Sequence, residues 1–412
     1  MASHFGWIDF SEKERQQMMN VVRFFQEKET RDELGIGTIR DAFADYFFPG
    51  TSTIQTRARY MLLIPWMYKE LEQKKIQFPE ITKKARQEEV TLILNLLRNG
   101  EKDGVIGQDS KEKLKRLPSS IYWVGLGLWG IRRFPGSQDQ YHRSLNTYYK
   151  WKSGRGIEEE TGYPFMENWD PGLPEPPKNF KEKATLLLTK KEAEYLQHKI
   201  LCGYPNTLLA VLVSERDFIE TDFLWENSAF EKVSESLLIN IEHARNFSEI
   251  IYGAVLLYNL YLARSRGNQD WVDNYESRVN DWAFLIESKW EELLKWYQDI
   301  EKFWFSNPLK EARVTFQTRI FIDRWLQLIF QEVGLKGVID HPSVYQFIKD
   351  REIRLKRSLA RLENPRALEN WNGSSGDFQL NYRWRITKVL VKDILDGLYG
   401  LSNPGKEDEV SA

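Results

Sequence analysis

Apolar residues recur at helical spacing through most of this 412-residue chain, and that period constrains the fold more than any other feature. Ser11-Glu12-Lys13-Glu14 has capping-box spacing ahead of Met18, Val21, Val22 and Phe25, which predicts a first helix over 11–26. Ile39, Phe43, Tyr46 and Phe47 share one face of a second, which stops at Pro49-Gly50, and a third is expected from 54 to about 74. Beyond Thr189 the pattern lengthens, with helices expected over 190–202, 230–265, 271–305, 315–333, 343–362 and 380–399. The most apolar stretch, 250–263, holds Asn259 and three tyrosines and falls short of the ~20 residues a bilayer span needs, so it reads as a buried core helix. The fold class that follows is mainly α: an N-terminal region of helix-turn-helix or winged-helix character, then an all-α helical domain.

Periodicity fails over 154–188, where Gly-Arg-Gly, three consecutive glutamates and Pro171-Gly172-Leu173-Pro174-Glu175-Pro176-Pro177 follow one another. That stretch is the expected linker between a basic region, 1–153, and the helical domain, 189–403, with a disordered tail at 404–412. An aromatic share of 14% with fifteen tryptophans argues against disorder elsewhere. The single cysteine, Cys202, excludes an internal disulfide, and residues 1–10 lack a basic-then-apolar leader, so a cytoplasmic protein without a membrane anchor is expected.

The formal net charge of −2 conceals a marked asymmetry. From Lys111 to Arg155 ten Lys/Arg stand against two acids, with eight aromatics interleaved. Basic side chains release counterions from a phosphate backbone and exposed rings stack on bases, so this block points to nucleic acid. A solvated helical surface over a small aromatic core is the competing reading. Lys113, Lys115 and Arg116 precede a turn at Pro118-Ser119-Ser120, a helix carrying Tyr122 and Trp123 follows, and Arg132 and Arg133 open a Pro135-Gly136 turn that would suit a wing. Tyr148, Tyr149, Lys150, Trp151 and Lys152 form a following arm. These three clusters are the expected backbone contacts.

Two further segments join the candidate interface. Gln55, Thr56, Arg57 and Arg59 stand on the expected first turns of the third helix, where such residues read base edges or phosphates; pairing of the arginines with Asp41, Asp45 or Glu70 is the structural alternative. Near the C-terminus, Gly373-Ser374-Ser375-Gly376 has the composition of an anion nest, with Arg366, Arg383 and Arg385 placed to hold a phosphate. A polar turn between two helices explains the same residues.

No chemical step is identifiable. Asp281, Glu287 and Lys289 imitate a nuclease Asp…Glu-x-Lys set, but Trp282, Leu285, Ile286 and Trp290 mark a helix where that chemistry needs a strand. Asp217, Glu220 and Asp222 are a candidate magnesium cluster, more simply read as a cap and loop. The histidines at 4, 142, 198, 243 and 341 match no zinc spacing, and Walker, Gly-x-Gly-x-x-Gly and Gly-x-Ser-x-Gly motifs are absent, so no catalytic residue, metal or cofactor is expected.

The opening Ser3-His4-Phe5-Gly6-Trp7-Ile8-Asp9-Phe10-Ser11, the run from Thr30 to Gly37, Phe48 to Tyr60, Leu117 to Trp123 and Asn364 to Trp384 resemble a bacterial family catalogued only as a domain of unknown function. The resemblance extends over most of the chain. Its members resemble components of anti-phage defence loci, encoded beside helicase-like and phospholipase-D-like genes. Together with the basic block, this setting leads to the expectation of a non-catalytic component that binds DNA, as duplex, single strand or junction, and presents it to such a helicase or nuclease partner. A divergent magnesium-dependent nuclease, a scaffold without nucleic-acid contact, and an inhibitor or sensor of a phage protein are the alternatives.

Overall fold

The computed structural model describes residues 32–153, 167–216 and 220–400. The helix expected over 11–26, Arg155, Asp217 and the tail over 404–412 lie outside the described residues. In chain order the helices are α1 (Gly37–Phe47), α2 (Tyr60–Gln73), α3 (Glu80–Arg98), α4 (Pro118–Leu128), α5 (Gln138–Lys152), α6 (Lys190–Gly203), α7 (Leu208–Ser214) and α8 (Glu235–Arg266). They continue as α9 (Gln269–Ser288), α10 (Trp290–Gln298), α11 (Ile300–Trp304), α12 (Asn307–Lys310), α13 (Phe316–Gln327), α14 (Pro342–Lys356), α15 (Pro365–Glu369) and α16 (Trp384–Tyr399). Among the described residues there is no β-strand, only an antiparallel bridge between Arg132 and Trp169. The mainly α reading therefore holds.

Among the described residues two compact units emerge, each assembled from separated stretches: one from 32–43 with Asn240–Tyr382, the other from the described part of Ala44–Ile239 with 383–400. This differs from the sequential division expected at 154–188. Residues 167–188 show why, since Trp169, Leu173, Ala184 and Leu186 are buried and Trp66 Nε1 donates to the Pro174 carbonyl at 2.6 Å. Proline-rich composition here marks irregular chain packed into a core.

In the unit holding Asn240–Tyr382, the stretch 250–263 is buried almost throughout, as its all-round apolar character requires. Gly253 faces Trp282, whose ring lies 2.2 Å from where a Cβ would stand, and Trp282 Nε1 donates to the Glu249 carbonyl at 2.8 Å. The helix expected over 271–305 is in fact three, interrupted at Lys289 and Asp299. Apolar spacing survives both interruptions because Ile286, Leu293, Trp296 and Phe303 are all buried.

In the other unit α16 packs along α6 and α7, while α2 packs against α3 and α4. Glycines at 125 and 127, unfavourable within a helix, serve close approach in α4: a Cβ on Gly125 would lie 2.4 Å from the Gly50 carbonyl, and one on Gly127 would meet the Arg132 guanidinium. The expected wing over 132–138 forms no hairpin. Ser137 instead caps α5, accepting from the Gln140 amide while Gln140 returns a bond to the Ser137 amide.

Candidate nucleic-acid interface

The exposed part of the basic block is narrower than its sequence. Lys111–Lys113 form a single 3₁₀ turn, closed by Lys113 N donating to the Ser110 carbonyl at 2.8 Å and Leu114 N to the Lys111 carbonyl at 3.1 Å. Arg86 of α3 donates to the Leu114 carbonyl at 2.8 Å and ties the turn to that helix. Lys111, Lys113 and Lys115 are exposed, and Arg116 is half-buried. On α3, Lys83 is exposed one turn before Arg86, on the same side. Among the described residues, none of Lys83, Lys111, Lys113 or Lys115 forms an ion pair. Sequence reasoning missed Lys83 and Arg86, because they precede the block in the chain and only the tertiary contact of Arg86 with the Leu114 carbonyl brings α3 beside it.

The helix-turn-helix residues sit elsewhere than expected. Helix α2 begins at Tyr60, so 48–59 is irregular chain, and Gln55 is buried, donating to the Gly50 carbonyl at 3.0 Å and accepting from Ser52 N. Arg57 pairs with Asp393, and Arg59, also buried, pairs with Glu192 at 2.8 Å and donates to the Thr185 carbonyl. Neither finds Asp41, Asp45 or Glu70. Tyr122 is fully buried; its hydroxyl accepts from the amides of Thr56 and Arg57 and donates to the Arg57 carbonyl at 2.8 Å. Trp123 is buried and donates to the Gly136 carbonyl. Arg132 lies over the Trp123 ring at 4.8 Å with its donors turned to the carbonyls of Trp123, Phe134 and Gly136. Donors committed to buried protein acceptors are not available to a phosphate.

The arm on α5 divides. Lys150 is exposed, Tyr149 and Trp151 are half-buried, and Tyr148 retains 2% exposure, which removes the expected platform of three open rings. Tyr148 donates to Glu167 at 2.5 Å, Tyr149 to the Ile76 carbonyl, and Lys152 pairs with Glu167 at 3.1 Å. Arg133 pairs with Asp170 at 2.9 Å, a carboxylate that also takes Lys199 and Tyr195. Beside these residues opens a cleft of about 570 Å³, lined by Lys69, Glu72, Lys75, Tyr148, Tyr149, Lys152, Glu167 and Trp169. Glu72 Oε1 accepts from Tyr141, Asn168 and Trp169 at 2.5, 2.9 and 3.1 Å, yet burial outweighs these donors and raises its carboxyl above the usual range.

The C-terminal loop is also committed internally. Gly373 and Gly376 adopt positive φ, as a nest requires, but Ser374 donates to Asp377 at 2.5 Å. Ser375 is buried, with its amide on Asn259 and its hydroxyl accepting from Arg361. Arg366 is exposed on α15; Arg383 pairs with Asp45 at 2.5 Å, and Arg385 is exposed on α16.

Among the described residues no group of three His, Cys, Asp or Glu is placed to hold a metal ion. Asp281 and Glu287 are exposed on helix α9, not on a strand, and Glu220 approaches Lys388 at 3.6 Å. His243 is buried with Trp296 Nε1 donating to its Nδ1 at 2.9 Å. No described helix is long and apolar enough to cross a membrane. A family profile described as a family of unknown function, DUF6361, matches residues 2–397. No curated protein and no solved structure matches the chain.

Proposed function

Because the chain belongs to the DUF6361 family, whose description names no activity, we propose from its own surface that it binds nucleic acid through the Lys111–Arg116 segment and the adjoining side of α3. The observation that carries this is a set of four exposed lysines, at 83, 111, 113 and 115, with no carboxylate partner among the described residues on a backbone held by Arg86. Lysines so placed neutralise phosphates and release counterions.

The contact is of the backbone-positioning kind. A recognition helix would need polar side chains on its free side, whereas the outward positions of α4 are Ser120, Val124 and Leu128, with Val124 67% exposed. Ahead of α4 stands a single 3₁₀ turn, Lys111–Lys113, and not the supporting helix of a helix-turn-helix, which favours sequence-independent binding over base readout. The resemblance to defence-locus components supplies the setting: a non-catalytic subunit that presents DNA to a helicase-like or phospholipase-D-like partner. Retardation of labelled duplex DNA by the purified full chain at moderate salt, lost on Lys111→Glu/Lys113→Glu/Lys115→Glu with an unchanged melting temperature, is the expected result. Absence of retardation at any salt concentration favours the scaffold reading, in which Val124 and Leu128 meet a protein.

A further inference from the structure

Glu89 lies on the inner side of α3 with no exposed surface, and both of its oxygens meet Ser119 of α4: Oε2 accepts from the amide at 2.7 Å and Oε1 from the hydroxyl at 2.6 Å. Leu117, the N-cap of α4, offers no side-chain acceptor, so the carboxyl group of a neighbouring helix acts as the cap. Its setting is dry. Ser119 Oγ also accepts from Gln138 Nε2 of α5 at 2.8 Å, the same amide donates to the Tyr68 hydroxyl of α2 at 2.6 Å, and that hydroxyl meets His142 Nε2 of α5 at 3.2 Å. Burial keeps these partners neutral, raising the tyrosine and lowering the histidine to about 4.

The cation that acts on Glu89 is Arg86, one turn earlier on its own helix. Against complete burial, one serine and this half-buried guanidinium leave the carboxyl at about 7, where it changes charge near neutrality. The group also stands behind the lysine turn. Arg86 donates to the Leu114 carbonyl at 2.8 Å, and Lys115 precedes Ser119 by four residues, so their Cα atoms are no more than about 14 Å apart. Phosphates gathered by Lys83, Lys111, Lys113 and Lys115 therefore bring negative charge to within reach of Glu89 through protein of low dielectric.

We propose that nucleic acid bound at the Lys111–Arg116 segment is linked to a proton on Glu89, the neutral carboxyl favouring the bound state and its ionisation weakening it. This rests on the assignment of nucleic acid to that segment and adds a regulation by pH. The direction follows from reciprocity: phosphate beside the turn raises the proton affinity of Glu89, so protonation must tighten phosphate binding by the same factor. Of the groups packed around the carboxyl, Arg86 keeps its charge throughout, Tyr68 and His142 keep their neutral forms near pH 7, and Ser119 and Gln138 do not titrate. The pH response of this surface then belongs to one buried residue.

Anisotropy of a labelled duplex titrated with the full chain at fixed salt, from pH 5.5 to 8.5, measures the link. Affinity is expected to stay level below about pH 6 and to fall about fivefold by pH 8.5, the scale of a few screened charges at this range. Calorimetry at pH 7.4 in two buffers of different ionisation enthalpy should show uptake of about 0.4 proton on binding. Glu89→Gln, neutral at every pH, should keep at pH 8.5 the affinity that the wild type has at pH 5.5, and should lose the proton uptake. Ser119→Ala removes the hydroxyl that holds the ionised form and should move the fall to higher pH. A level wild-type profile, or an equal fall in Glu89→Gln, overturns the linkage and leaves the lysine surface standing; absence of duplex binding at every pH overturns both.

Discussion

Arg57 and Asp393, 336 residues apart, form a two-pronged ion pair: Arg57 Nε lies 2.9 Å from both carboxylate oxygens and Nη2 reaches Oδ1 at 2.8 Å. The same carboxylate accepts from the Ala58 amide at 2.8 Å, so the irregular chain before α2 is fastened to the last helix. Burial pushes the Asp393 carboxyl above its usual range even with the guanidinium beside it. Arg57→Ala leaves that buried carboxylate without its guanidinium, with the Ala58 amide as its remaining donor, and is expected to cost about 3–5 kcal/mol in urea unfolding, with much of the loss recovered in Arg57→Met/Asp393→Leu. A DNA contact by Arg57 predicts the opposite: unchanged stability with weakened binding.

Glu89 is fully buried and accepts from Ser119 twice, its Oε2 from the amide at 2.7 Å and its Oε1 from the hydroxyl at 2.6 Å. Burial pushes its carboxyl up to about 7, from 4.5 in the unfolded chain. The folded state therefore holds this proton more tightly, and the contribution is complete below about 4.5 and lost as pH rises through 7, at up to about 1.4 kcal/mol per pH unit. Glu89→Gln keeps the neutral shape and should flatten stability between pH 5 and about 8. A melting profile with the same alkaline slope in the variant would count against it.

His142 acts with the reverse sign. Burial lowers it to about 4 from 6.5, while Tyr68 and Thr82 contact its two nitrogens. Its neutral form is favoured in the fold, so stability present above 6.5 is lost as pH falls through about 4. Replacing it with glutamine should shift the acid unfolding midpoint downward, measured by circular dichroism.

Helix positions were legible because burial selects a 3.6-residue period, and α1, α6 and the 250–263 core follow it closely. What stayed hidden depends on partners remote in sequence. Helix α2 starts at Tyr60 because the amides of Thr56, Arg57 and Ala58 are held by Tyr122 and Asp393, neither of them near in the chain. In the basic block, composition cannot separate ring faces from core, and Tyr122, Trp123, Trp129, Tyr141 and Tyr148 all turn inward. Lys113 and Lys115, with no such partner among the described residues, are exposed.

Gly253→Ala tests the packing of the most apolar helix. A methyl group there would meet Trp282 at 2.2 Å, so the ring or the helix must shift. A loss of about 1–3 kcal/mol is expected for overpacking of this kind, with Trp fluorescence altered in the folded baseline. A neutral outcome would mean that the two helices separate freely.

Salt dependence of duplex binding bears most directly on the proposed interface. If Lys83, Lys111, Lys113 and Lys115 each neutralise a phosphate, anisotropy of a labelled duplex should give a slope of log affinity against log salt near −4, falling to about −1 when the last three become glutamate. A flat response in the wild type, or the same slope in the variant, would contradict the assignment of nucleic-acid binding to this surface.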